Sequence, residues 1–255
     1  MAKMLDNIGK LTSDEFRVSV AMGHHPGWSS FRKFGTNSAV TSGTEEMWPP
    51  GTIRVLPTSA GVVSVVSDST DDDADPAGTG AWTVTVEGLS AAGLEISETV
   101  SLNGTSAVTT TASFYRINRM YNVTAGTGGI NAGNISASIG GDLQAYIAAG
   151  RGQTAQTHYT VPSDHWVYVT HFALITGRMS GSTDLNILSQ IKLAGDNTAW
   201  RGISNIYLWN GHEHRNTESV TGLPPGTEVR QQIISTASTQ CVGIWGGYKI
   251  HTDYV

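Results

Sequence analysis

An all-β protein is predicted: two β-sandwich or jelly-roll-like modules, residues 48–155 and 156–255, preceded by an extended N-terminal arm, residues 1–47. Three observations predict it. Charged residues make up only 14% of the 255-residue chain, against roughly a quarter in an ordinary soluble domain. Gly, Ser, Thr and Ala fill the difference; Gly, Ser and Thr are poor in helix interiors and suit short strands joined by turns. Finally, about a dozen apolar or alternating segments recur roughly every 8–12 residues, the spacing of a sandwich or jelly roll.

The elements follow in order. In the arm, "LTSDEF" sets Thr12 or Ser13 ahead of acidic residues and predicts a short capped helix. The stretch "GHHPGWSSFRKFGTNSAV" has no sustained period. Its Trp28, Phe31 and Phe34 make it too apolar for a free tail, so it reads as an arm ordered by lying on something. In the middle region "GVVSVVS" is a short apolar run, and "AWTVTVEGL" sets Trp82, Val84 and Val86 against Thr83, Thr85 and Glu87. In "ETVSLNGTSAVTTT", Asn103-Gly104 between two alternating runs predicts a hairpin. "SFYRINRMYNV" alternates Phe114, Arg116, Asn118 and Met120 with Tyr115, Ile117, Arg119 and Tyr121. "LQAYIAAG" reads as a strand or one helical turn, and "AGRGQTAQT" near 150–156 as a hinge. In the last region two strands flank the turn Pro162-Ser163-Asp164, and "LNILSQIKL", "SNIYLWN", "TEVRQQIISTA" and "CVGIWGGYKI" continue the strand pattern. No internal repeat is evident.

Composition excludes several functions. A net charge of -6, with Arg32-Lys33 the longest basic feature, offers nothing to a phosphate backbone. The single cysteine, Cys241, excludes an intramolecular disulfide and reads as a small core residue. No run approaches the ~20 apolar residues of a membrane helix and none resembles a signal peptide, so synthesis and folding in a cytoplasm are expected.

Motifs with chemistry are few. Asp71, Asp73 and Asp75 imitate the opening of an EF-hand loop, but its sixth position is Pro76 and its twelfth Trp82, where Gly and a bidentate Glu are needed. Four like charges followed by Pro76 and two glycines read instead as a solvated turn, with a looser calcium site as the alternative. His212 and His214 share one face of a strand and could ligate a metal, yet no third ligand is identifiable nearby. Adjacent His24 and His25 point apart on an extended chain. No G-x-S-x-G elbow and no P-loop occurs, and no carboxylate pair stands out for glycoside hydrolysis. Catalytic, cofactor and metal residues are therefore expected to be none. The aromatics remain: Trp48, Trp82, Trp166, Trp200, Trp209 and Trp245, with Tyr168, Tyr207 and Tyr248, have ring faces that could stack on sugars, Trp209 in "YLWNGHEHRN" being the foremost exposed candidate; core anchoring or subunit contact is the other use of such residues.

The segments "RKFGTN", "EEMWPPG", "ADPAGTGAWTVTVEGLSAAGLEISETVSLNG", "SFYRINRM" and "GGINAGNI" resemble a recurrent sequence type among structural proteins of tailed bacteriophages. "YTVPSDHWVYVT" is similar to a Y-x-[IV]-P turn that opens sandwich modules in such proteins, and "CVGIWGGYKI" to their closing strand. The resemblance spans most of residues 31–250 and carries over no active-site residue. It implies a non-enzymatic virion protein of capsid-decoration or cement type, made in the host cytoplasm and forming symmetric homo-oligomers, a trimer for instance. Its partners would be copies of itself and the phage major capsid or tail proteins. Interface candidates are Trp28, Phe31, Phe34 and Trp48. The alternative is a tail-associated or fibre protein that reads host surface glycans through Trp209, His212 and His214. A cell-wall hydrolase is a third and remoter reading.

Overall fold

The computed structural model describes residues 13–177, 185–195, 199–208, 212–236 and 238–255. Among the described residues one α-helix, α1 (Ser13–Ala21), starts at the predicted Ser13, and a single 3-10 turn spans Thr252–Tyr254. The rest is almost entirely antiparallel strand. First come β1 (Trp28–Val40), β2 (Gly43–Glu46), β3 (Gly61–Ser67) and β4 (Ala81–Leu89). There follow β5 (Glu95–Ser101), β6 (Val108–Phe114), β7 (Arg116–Ala125), β8 (Ile135–Ile139) and β9 (Asp142–Ile147). The chain closes with β10 (Tyr159–Thr160), β11 (His165–Thr176), β12 (Leu185–Lys192), β13 (Arg201–Leu208), β14 (His212–Leu223), β15 (Glu228–Ser235) and β16 (Thr239–His251).

Two sheets, β1-β16-β11-β14 and β15-β12-β13, enclose a common core. The free edge of β15 is covered by two short strands end to end: β2 along Gln232–Ser235 and β10 along Glu228 and Val229. Taken as one interrupted strand, β2 and β10 complete eight strands whose successive members, apart from the paired β12 and β13, cross between the two sheets in the double Greek key of a jelly roll. Everything between them, β3 to β9, forms a second sheet pair, β6-β3-β8-β9 and β5-β4-β7, around its own core of Val63, Val84, Phe114, Ile117, Met120 and Ile135. The chain is thus a jelly roll with a β sandwich inserted into one of its strands.

Strand pairing therefore crosses the expected division into arm, middle and C-terminal regions. The presumed arm supplies β1, which pairs with β16 along its length from Trp28↔Ile250 to Asn37↔Cys241, and β2. Its alternation escaped detection for a physical reason: the inward row of β1 reads Phe31, Lys33, Gly35, Asn37, and three of these four are not apolar. Lys33, Gly35 and Asn37 are nevertheless buried. Gly35 is obligatory there, because a Cβ would lie 2.3 Å from the Met47 carbonyl oxygen.

Two further expectations are corrected. Asn103-Gly104 does turn the chain, with Gly104 at φ +51°, but β5 pairs with β4 and β6 with β3. The turn carries the chain from one sheet to the opposite one rather than closing a hairpin. The supposed hinge is a strap: residues 154–158 are all buried, and their backbone bonds to β1, β7 and Met47.

The acidic turn is not wholly solvated either. Asp72 is fully buried, and its carboxylate accepts from the Ala81, Ala132 and Gly133 amides at 2.7–2.9 Å and from the Ser67 hydroxyl at 2.6 Å. It sews the loop to both sheets of the inserted sandwich. No group of three metal-ligating side chains occurs among the described residues. Asp72→Ala strands several buried donors, so a loss of about 3 kcal/mol or more is expected in denaturant unfolding. Calcium addition should leave the wild-type melting temperature unchanged; a rise of several degrees would reinstate the metal reading.

Candidate functional site

Where the inserted sandwich meets the jelly roll, strands end on polar residues that the sequence pattern did not mark as a set. Glu46, closing β2, lies beside the segment 47–60 that leads into the insertion, and His158 on the segment that leads out. The Glu46 carboxylate accepts from His158 Nε2 at 2.5 Å, the Arg54 amide at 3.0 Å and Arg230 Nη1 at 2.9 Å. Because a carboxylate only accepts, the His158 proton sits on Nε2. Arg230 in turn donates to Gln190 at 2.9 Å and lies flat on the Trp200 ring at 3.9 Å.

The second half of the junction is built on β7, whose alternating face Arg116, Asn118, Met120 joins polar and apolar residues. Arg116 Nε donates to Glu228 at 2.6 Å, with both side chains under a tenth exposed. Its Nη1 donates to the Pro57 and Tyr115 carbonyls, and Thr160 supplies a second donor to Glu228. The Asn118 amide donates to the Thr160 carbonyl and accepts from its N–H, mimicking a backbone ladder between β7 and β10.

Electrostatics follow burial. Removal from water, reinforced by the Arg54 charge, pulls the His158 pKa down to about 4, so the ring is neutral at physiological pH. Burial alone would raise the Glu46 carboxyl, but the His158 ring and the Arg54 amide and guanidinium outweigh it and hold it at about 2. Arg54 itself is lowered to about 10, chiefly by burial.

Beside this junction opens a cleft of about 510 Å³ between the sheet pairs, lined by Lys33, Tyr159, Asn118, Arg119, Lys249 and Glu95 among others. Lys249 and Glu95 pair at 2.7 Å across it. Lys33 donates to the Asn118 carbonyl at 2.5 Å, and burial together with the Arg54 and Arg119 charges lowers its pKa to about 7. An amine so shifted is a competent nucleophile. Its nitrogen bonds to that backbone carbonyl, and the Glu95 carboxylate in the cleft is taken up by Lys249.

The residues singled out from sequence scatter. Phe31 stacks on Tyr159 and meets Trp245 edge-on inside the jelly-roll core. Trp48 is 1% exposed, bonds through its indole N–H to Thr52 and abuts His158. Trp48 is thus a core residue, whereas Phe31 is partly buried and also lines the cleft. Trp28 joins Phe16, His25 and Tyr248 in a partly buried aromatic group under α1. Phe34 is half-buried and lines a separate cleft of about 550 Å³ with Arg151 and Gln240. Cys241 is a core residue, as its setting suggested. Trp209 lies outside the described residues. His212 and His214 fall on β14 opposite Ile175 and Ala173 of β11. What the motif search missed, Lys33, Glu46, Arg54, Arg116, His158 and Glu228, left a trace only in the polar members of otherwise apolar strand faces.

No family model matches this chain, and no curated protein matches it. Among solved structures, the infectious bursal disease virus Gt strain is similar at 12% identity and a TM-score of 0.27, over 93% of this chain and 78% of that one. T=1 particles derived from the same virus are similar at 15% identity and 0.27, over 92% and 74%. Its VP2 subviral particle is similar at 14% and 0.24, over 95% and 78%. Likeness at this level establishes neither a shared fold nor a shared role.

Two outcomes are expected at the junction. Folded pKa values below the unfolded ones mean that stability is whole at high pH and lost on acidification. The His158 contribution should fade from about pH 6.5 to 4 and the Glu46 contribution from about 4.5 to 2. Melting temperature followed by circular dichroism should fall in that window, and His158→Gln should flatten its upper part; a wild-type curve level from pH 7 to 4 would contradict the assignment. Arg116→Met leaves Glu228 buried and unpaired and should cost about 3–5 kcal/mol, with much of the loss recovered in the Arg116→Met/Glu228→Met double variant.

Proposed function

We propose that this chain is a non-enzymatic structural component of a tailed-phage particle, of capsid-decoration or cement type, which stabilises the shell by assembling symmetrically with copies of itself and with the major capsid or tail proteins. The observation that carries this reading is the use to which the buried charge is put. Glu46, Arg54, Arg116, His158 and Glu228 are all nearly buried, and they bond to one another and to backbone across the neck of the insertion. They make one stiff block of two sandwiches, which suits a part that bears load between neighbours. The tailed-phage sequence resemblance over residues 31–250 supports the same class. The jelly roll is compatible with it, since that architecture serves in shells and in lectins alike, and fold by itself does not choose. With the presumed arm folded into the jelly roll, self-association falls to outward surfaces.

A second reading, host-glycan binding, is favoured by Tyr207, which is 72% exposed on β13. The test of the first is assembly. Light scattering of the purified 27.0 kDa chain should give a small integral multiple of that mass, and virions lacking the chain should lose their contents at a lower temperature than complete ones. A monomer at tens of micromolar, together with virions of unchanged heat stability, would overturn the proposal.

A further inference from the structure

The outward face of the sheet β13-β12-β15-β2 is divided in two by the insertion. Strand register places Lys192 opposite Glu228, then Gln190 opposite Arg230, then Leu188 beside Asn205 and Gln232, and last Asn186 beside Tyr207 and Ile234. Residues of opposite parity on β12 and β15, such as Leu185, Ile187 and Ile233, point into the core and are buried. The described charged side chains on the outward face, Glu46, Lys192, Glu228 and Arg230, gather at the end and edge that the inserted sandwich and Trp200 cover. The remainder carries amides and a bare phenol with no formal charge among its described residues.

We infer that this open face is a binding site for a neutral oligosaccharide, resting on the glycan reading above. Three features of the face make the case. Sugars are uncharged, dense in hydroxyl groups and apolar on one ring face; they are matched by planar amides that both donate and accept, and by aromatic rings. Asn205 and Gln232 supply such amides in the row of Leu188, while in the next row the Asn186 Oδ1 is buried. Two rings bound the surface: Tyr207 at its open end, and Trp200 at the covered end, held in place by the Arg230 guanidinium beneath it. Six residues of extended chain lie between them, roughly 20 Å at about 3.3 Å per residue step, which spans several sugar units. A second copy of this chain fits less well. The open face has only Leu188, Ile234 and Tyr207 as large apolar side chains, whereas the buried centre of a homo-oligomer interface is mostly apolar.

The wild-type protein and Tyr207→Ala are applied to a printed array of neutral and acidic bacterial-surface oligosaccharides, with Tyr207→Phe as the variant that keeps the ring. Wild type and Tyr207→Phe should bind a neutral glycan alike, and Tyr207→Ala about tenfold more weakly, at an unchanged melting temperature. Binding that Tyr207→Ala leaves intact would remove this face while sparing the glycan reading. Binding confined to acidic glycans would overturn the ligand class. No binding to any glycan would remove the site and the reading together.

Discussion

Two buried carboxylates, Glu46 and Glu228, hold this molecule together. Glu46 closes the short edge strand β2 and Glu228 opens β15 beside β10, and each is surrounded by donors drawn from both sides of the junction. A charge taken so far from water costs several kcal/mol unless its partners are in place. The cost acts on specificity. A sandwich docked elsewhere would leave Glu46 without His158, Arg54 and Arg230, or Glu228 without Arg116 and Thr160. Apolar packing has no such selectivity, and it is used where none is needed, in the separate cores of the two sheet pairs.

The same arrangement explains how an insertion of about a hundred residues is tolerated within a strand. The jelly-roll edge is completed by β2 before the insertion and by β10 after it, both paired to β15. The two legs of the neck are tied to each other where Thr157 bonds to Met47 and His158 to Glu46. The strap 154–158 then fills the space that a flexible linker would leave open. Relative motion of the two sheet pairs would have to break buried hydrogen bonds, so the block moves as a unit.

Stiffness of this sort bears on function. An enzyme of this architecture would be expected to concentrate its perturbed groups around an open cleft. Here His158, Glu46 and Arg54 lie in the closed junction, where Glu46 is held by three donors and His158 Nδ1 and Arg54 Nε are buried without a hydrogen-bond partner, while Lys33 and Tyr159 line the cleft. The outward surfaces carry aromatics and amides instead. A stiff block with a polar outer sheet is consistent with the particle protein proposed above, and with the proposed sugar-binding face.

Much of the fold was legible in the chain. The all-β class, the strands from "GVVSVVS" to "CVGIWGGYKI", the helix at Ser13 and the core position of Cys241 all follow from local pattern, because alternation and turn chemistry act over a few residues. What local pattern cannot carry is the identity of a strand's partner. β1 pairs with β16 some two hundred residues away, β2 and β10 share one edge across the whole insertion, and Asn103-Gly104 joins strands that never pair. The junction was hidden for a related reason. Lys33, Asn37, Arg116 and Asn118 are polar residues on buried faces, and hydropathy scores them as exposed. Only the tertiary structure brings to each the opposite charge or backbone group that makes its burial affordable, so the sequence by itself determined what kind of strands this protein makes, and the long-range pairing of buried charge decided how they are joined.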